Sequence, residues 1–184
     1  MEIIKTSIEG LIEVKGSVFK DERGYFFENY NKERFKDAGL PTHFVQDNFS
    51  RSTAGIVRGM HLQLPPHGQL KFVRALLGRV LDVVVDLRPG SATYGKSHSL
   101  ILDSNAFNAL IVPAGFAHGF AVLEDAIFHY KCTEVYHPES ETGVRWNDPD
   151  LAIDWMVKDP VISEKDKKLP TFREFTEKYT TNNK

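Results

Sequence analysis

The sequence predicts an all-β fold, a jelly roll with short peripheral helices. Three observations carry that expectation. Most of the chain breaks into short apolar runs between Gly and Pro punctuation, one long run alternates with a period of two, and helical signals occur in only two places.

The alternating run is "GRVLDVVVDLR" (78–88). Leu81, Val83, Val85 and Leu87 alternate there with Val80, Asp82, Val84 and Asp86, the pleat of a strand. Further strands are expected over 10–19, 24–30, 43–49, 55–63, 70–77, 97–102, 108–112, 118–123, 126–136 and 151–156. "NKERFKDAGL" reads as a helix with Asn31 as N-cap and Gly39 as its stop. "TFREFTEKY" (171–179) opens on a Thr-x-x-Glu capping box just after Pro170. With no internal repeat or linker, residues 1–184 read as one domain with a helical C-terminal tail from about residue 163.

A chain of 184 residues is long enough for one sizeable core. Formal charge is −2, and no stretch forms a basic face, so nucleic acid is not an expected partner. A bound phosphate would belong to a small ligand held by one or two arginines. Cys132 is the lone cysteine, which excludes an intrachain disulfide and a cysteine metal cluster. The start, "MEIIKTSIEGLIEVKG", lacks the features of a secretory signal, and no run approaches the ~20 apolar residues of a membrane span. A cytoplasmic location is the default expectation.

In "RGMHLQLPPHGQLKF" (58–72) His61 follows a glycine and sits among apolar residues. Double-stranded β-helices that bind metal carry a His-x-His pair, a carboxylate shortly after, and a later Pro-x-Gly-x-x-His. "PAGFAH" keeps the last piece as Pro113, Gly115 and His118. The first piece is degraded to His61-x-Gln63, and Lys71 stands where the acid is expected. A cation there repels a metal, an amide is a poor transition-metal ligand, and two histidines rarely suffice. No metal is expected at this site.

What remains, His61, Lys71 and His118, suits removal of a proton from a carbon next to a carbonyl. An imidazole accepts the proton, and an ammonium stabilises the oxyanion that develops. Protonation from the opposite face would make the reaction an epimerisation. The acid would be a tyrosine of "HYKCTEVY", Tyr130 or Tyr136, which an unbroken strand would point to one face.

These motifs resemble the dTDP-4-dehydrorhamnose 3,5-epimerases of the RmlC-like cupins. The matching runs are "FKDERGYFFE" (19–28), "FVQDNFSRS" (44–52), "GIVRGMHLQ" (55–63), "VVVDLRPGSATYGK" (83–96), "LIVPAGFAHGFAVL" (110–123), "YKCTEVYHPESETGVRWNDPDLAIDW" (130–155) and "ISEKDKKLP" (162–170). Together they span nearly the whole chain. The resemblance implies a cupin jelly roll that inverts C3 and C5 of dTDP-4-dehydro-6-deoxy-D-glucose, on the route to L-rhamnose and surface polysaccharide. It implies His61 as the base, Asp166 as its carboxylate partner, Lys71 as the stabiliser of the C4 enolate and Tyr130 as the acid, with Tyr136 close to the sugar and phosphates. Arg23 and Arg58 would hold the diphosphate, with Gln46 and Asn48 in the same pocket and His118 near the substrate. Phe26 and Glu28 would contact the thymine from the other subunit of a homodimer that exchanges a strand. Neither metal nor nicotinamide cofactor is implied. Leu62, where the family often has an aromatic, and "GKSHSLIL" depart from its pattern.

Competing readings are structural. Ser163-x-x-Asp166 is itself a capping box, so the Asp166 carboxylate has a local use, and Asp82 is a rival carboxylate for His61. Arg58 lies three residues before His61, on the opposite face of a regular strand, unless Gly59 introduces a bulge. His43, His67, His98, His129 and His137 read as loop residues. Rival functions are a single-site C3 or C5 epimerase on a related nucleotide-linked 4-keto-6-deoxysugar, a metal-dependent cupin, and a carbohydrate-binding cupin without catalysis.

Overall fold

A computed structural model describes residues 1–180. Two long strands organise it, β7 (Lys71–Asp86) and β10 (Phe116–Cys132), paired antiparallel along their lengths. The expected strands 70–77 and 78–88 are one strand, and 118–123 joins most of 126–136 in another. Both pass a corner without ending. Gly78 (φ 71°) meets the partner backbone so closely that an added Cβ would lie 2.1 Å from the Asp125 carbonyl oxygen. Opposite it, the register of β10 slips between Val122 and Phe128. Bulges bend strands in this way without breaking them.

The corner bends one nine-stranded sheet so that its strands divide between two layers, each a sheet of the barrel. The first half of β7 pairs with β9 (Asn108–Val112), which pairs with β2 (Ile12–Lys15) and β1 (Glu2–Lys5); the second half of β10 pairs with β5 (Gln46–Ser52). In the other sheet β8 (Ser97–Asp103) joins the second half of β7, and β6 (Val57–Gln63) joins the first half of β10, with β11 (Glu141–Gly143) beyond it. Between the sheets, Val73, Val80, Val84, Phe116, Phe120 and Phe128 form the barrel core. This is the expected all-β, cupin-type architecture.

Two apolar layers cover the outside. Leu81, Val83 and Val85, the other face of the alternating run, are buried under Leu151, Trp155 and Phe175 of the C-terminal segment. At the far end, helix α1 (Lys32–Asp37) seats Phe35 edge-on against Phe72. Asn31 caps α1 through bonds from the Glu33 and Arg34 amides, and Gly39 (φ 69°) follows its end. Helix α2 (Glu164–Lys167) is a single turn, and α3 (Phe172–Tyr179) carries the expected Thr171–Glu174 capping box.

Residues 151–156 do not form the expected strand. Ala152 (φ 46°) and Met156 (φ 56°) interrupt the extended backbone, and Leu151 and Trp155 are buried by packing as a loop on the outer face. The Trp155 indole N–H donates to the Trp146 carbonyl at 2.7 Å. The expected strand 10–19 divides at Gly16 into β2 and β3 (Val18–Asp21), which forms a separate hairpin with β4 (Gly24–Phe27). Two short edge strands, β1 and β11, have no counterpart among the expected elements. His98 and His129 lie on β8 and β10 rather than in loops. Among the described residues, no helix is long and apolar enough to cross a membrane.

Candidate active site

A cavity of about 550 Å³ opens at the mouth of the barrel. His61 and His118 reach it as direct cross-strand partners on β6 and β10. Arg58 lines the same cavity, which a regular strand would forbid. Between His61 and Arg58, β6 spans three residues where β10 spans two, so one residue is bulged out. Gly59 is that point. Its φ is 127°, and an added Cβ would lie 2.5 Å from the Gly119 Cα. The bulge re-aims Arg58, whose Nε donates to the Ser52 hydroxyl at 3.0 Å.

The carboxylate behind His61 comes from far along the chain. Residue 161 docks beside the start of β6, with Val57 N–H donating to the Val161 carbonyl and Val161 N–H to that of Gly55. This places α2 under the bulge. Asp166 Oδ1 lies 2.8 Å from His61 Nε2, and Oδ2 accepts the Gly59 amide at 3.1 Å. Ser163 does cap α2 by accepting the Asp166 amide, yet the Asp166 carboxylate serves His61. Burial disfavours its ionised form, but the bonds from His61 and Gly59 outweigh that and hold its pKa below the ordinary aspartate value. Asp82 is not the rival partner of His61. It lies fully buried, with Oδ2 at 2.8 Å from His118 Nε2.

Lys71 begins β7 and lines the cavity. Among the described residues it has no hydrogen-bond or ion-pair partner, and burial pushes its pKa down, against the pull of Cys132, Glu141 and Asp82. Tyr130, beside Asn48 in the ladder, lines the cavity with its pKa raised by burial, so it stays a neutral phenol with a proton to give. Tyr136 does not share its strand, because β10 ends at Cys132. It reaches the cavity from the following loop, held by its backbone N–H, which donates to Gln46 Oε1 at 2.8 Å.

Gln46 lines the cavity. Asn48, on the same face of β5, accepts from Gln46 at 3.2 Å without forming part of the wall. Arg23, Phe26 and Glu28 are not brought to this chain's cavity. Arg23 pairs with Asp21, Glu28 with Arg34, and Phe26 stands 66% exposed on the β3–β4 hairpin. Sequence reading missed Glu141 and Lys165. Glu141 Oε2 accepts from the Tyr136 hydroxyl at 2.6 Å and from Lys165, and both residues line the cavity. The bonds from Lys165 and Tyr136 overcome burial and keep the Glu141 carboxyl below its usual pKa.

An imidazole backed by a carboxylate, an ammonium unpaired among the described residues and two phenols converge on the barrel mouth. This is the equipment of an acid–base enzyme acting on a carbon acid, set in a cupin-type jelly roll. Comparison with known proteins gives the family. Residues 5–174 match the family model described as dTDP-4-dehydrorhamnose 3,5-epimerase, and the chain belongs to that family. The enzyme of that name from Methanothermobacter thermautotrophicus is 48% identical over 93% of this chain and 94% of its own length. A crystal structure of the Elizabethkingia anophelis enzyme superposes with a TM-score of 0.89 at 47% identity, covering 95% of this chain and 97% of that one. A dTDP-6-deoxy-D-glucose-3,5-epimerase from Legionella pneumophila, solved with dTDP-4-keto-L-rhamnose, has a TM-score of 0.89 at 43% identity, covering 94% and 93%.

Proposed function

We propose that this chain inverts C3 and C5 of dTDP-4-dehydro-6-deoxy-D-glucose to give dTDP-4-dehydro-L-rhamnose. The observation that carries this reading is the His61–Asp166 pair opening onto the same cavity as the Lys71 ammonium, which has no counter-ion among the described residues. The C4 ketone acidifies both neighbouring C–H bonds, so one base serves two carbons. His61 takes the proton from C3 or C5, and Asp166 fixes the ring and balances the imidazolium. The C–H electron pair moves to the C4 oxygen, where Lys71 stabilises the enolate. Tyr130 then protonates the carbon from the opposite face, the carbonyl re-forms, and solvent restores both groups. No oxidant or reductant is consumed. Arg58 holds the diphosphate, Gln46 and Tyr136 shape the sugar and phosphate end, with Asn48 steadying Gln46 from behind the wall, and His118 closes the wall beside His61.

Within one chain the nucleotide end of the cavity lacks Arg23, Phe26 and Glu28. We infer that a second copy supplies them. The β3–β4 hairpin presents Phe19, Tyr25 and Phe26 at 57%, 60% and 66% exposure, and β5 presents Phe49 at 76%. Large apolar groups this exposed on the hairpin, with Phe19 and Phe26 side by side at 6.4 Å, mark an association surface. Mixing an Arg23→Ala chain with a His61→Asn chain should restore activity that neither has alone. If the mixture stays inactive although mixed dimers form, each cavity uses its own hairpin.

The function is tested by incubating the protein with dTDP-4-dehydro-6-deoxy-D-glucose in D2O and following the sugar protons by NMR. Deuterium at both C3 and C5 is expected. Deuterium at one carbon would move the chain to the single-site branch, and deuterium at neither would refute the substrate assignment.

A further inference from the structure

Tyr136 reaches the cavity on a segment that has no sheet to hold it. β10 ends at Cys132, and among the described residues the backbone of 134–136 makes no hydrogen bond to another backbone group. Three glutamine side chains take the place of a ladder. Gln69 Nε2 donates to the Glu134 carbonyl at 2.7 Å, and Gln63 Nε2 donates to that of Val135 at 3.2 Å. The Tyr136 backbone N–H donates to Gln46 Oε1 at 2.8 Å, and that of His137 donates to Gln63 Oε1 at 2.7 Å. All three glutamines line the cavity.

Gln63 stands where metal-binding cupins keep the second histidine of their pair. It is 4% exposed, and Nε2 also donates to the His67 carbonyl at 2.7 Å, so its amide faces the chain. A primary amide suits this task, because it meets a carbonyl and an N–H at once, as a neighbouring strand would. The catalytic groups need no such support. His61, Lys71 and Tyr130 lie on β6, β7 and β10, where ladder pairing fixes them. The glutamines therefore act on one side of the cavity, where Tyr136 is 48% exposed and its hydroxyl donates to Glu141 Oε2 at 2.6 Å.

We propose that Gln63 and Gln69 are positioning residues: they hold segment 134–137 in place and, through Tyr136, set the affinity for the sugar and phosphate end of the substrate. The proposal rests on the dTDP-sugar reading given above. Contacts that serve the bound substrate and the transition state alike appear in KM and leave kcat alone. Tyr136 is of that kind, since it stands outside the proton relay of His61 and Tyr130.

A double-mutant cycle on KM and kcat, with turnover followed by NMR, tests the positioning. Gln69→Met keeps the length of the side chain and cannot donate. It should raise KM about 3–10-fold, the worth of one hydrogen bond, and leave kcat within about twofold of wild type. Gln63→Met should raise KM further, because two carbonyls and one N–H lose their partner. In a Tyr136→Ala background the Gln69→Met step should change KM by less than about 1.5-fold. A KM effect undiminished in that background would mean that Gln69 touches substrate directly, and would overturn the proposal. An unchanged KM in Gln69→Met, or a kcat that falls as much as KM rises, would also overturn it. If Gln63→Met fails to fold, Gln69→Met alone decides.

Hydrogen exchange reads the same hold without substrate. The Tyr136 and His137 amides should exchange about tenfold faster or more in Gln69→Met, with the amides of β7 and β10 unchanged. Equal protection in variant and wild type would overturn the proposal. Faster exchange in a protein whose wild type leaves the dTDP-sugar untouched would refute the substrate assignment and keep the positioning.

Discussion

His61–Asp166 and His118–Asp82 are the same residue types at the same 2.8 Å spacing, and the two histidines face each other across adjacent strands. They differ in where the chain leaves them. The His61 side chain is 26% exposed and its aspartate 5%, whereas His118 is 8% exposed and Asp82 not at all. Asp166 has both oxygens bonded, one by His61 and one by the Gly59 amide. Asp82 keeps Oδ1 without a partner among the described residues. A base must meet substrate and solvent in each cycle, which the exposure of the first pair allows, as the proposed function requires. The second forms part of the wall. The contrast teaches that a His–Asp pair is defined by its access to the cavity and by what completes its carboxylate, more than by its own geometry.

Replacing His61 breaks the comparison most directly. His61→Asn should lower kcat by about 10²–10⁴-fold, with the fold intact because its ring faces a cavity. Turnover of the dTDP-sugar followed by NMR reads this.

Lys71→Met should follow, at about 10²–10³-fold in kcat, the usual cost of removing one oxyanion donor. The same change should leave the melting temperature equal or higher, since a half-buried ammonium with no partner among the described residues is replaced by an apolar chain of similar length. A fall in stability would mean that Lys71 has a structural counter-ion.

Asp82→Leu should invert that pattern. It strips His118 of its partner in a buried setting and should cost about 1–3 kcal/mol in urea unfolding, with kcat falling less than in either variant above. A smaller stability loss than Asp166→Leu would break the comparison.

The smallest effect is in pH dependence. The folded pKa of Asp166 is lowered from an ordinary value of about 3.9, so its ionised form adds stability at neutral pH. That contribution is fully present above the unfolded value and fades as pH falls through the folded one. Between about pH 5 and pH 2, wild type should therefore lose more stability than Asp166→Asn. Parallel unfolding curves across that range would show that the carboxylate gains nothing from His61 and Gly59.

How far these pairs are legible in the sequence depends on the distance between their members. The pleat alone placed Arg58 on the wrong face and named Gly59 as the remedy, because strand periodicity is a local rule. His61, Lys71 and His118 followed from motif positions within a jelly roll. Asp166 did not, since 105 residues separate it from His61 and its own neighbourhood reads as a helix cap. Only the family resemblance joined them. Glu141 and Lys165 escaped for related reasons: β11 is three residues long, and Lys165 sits in the charged run "SEKDKK", which looks like a solvated surface. Asp82 reads only as a rival carboxylate for His61, and its actual partner, His118, stays hidden because that contact depends on the diagonal register of β7 against β10. The strand misread at 151–156 shows the same limit. Its apolar alternation is real, but burial came from packing across an outer face.

The central claim is that one histidine of the two is the base for both carbons. Deuterium exchange into dTDP-4-dehydro-6-deoxy-D-glucose in D2O, run side by side with wild type, His61→Asn and His118→Asn, tests it most directly. The account predicts exchange at C3 and C5 in wild type, none at either carbon in His61→Asn, and slower but measurable exchange at both in His118→Asn. Exchange that persists at either carbon in folded His61→Asn and disappears in His118→Asn would contradict it.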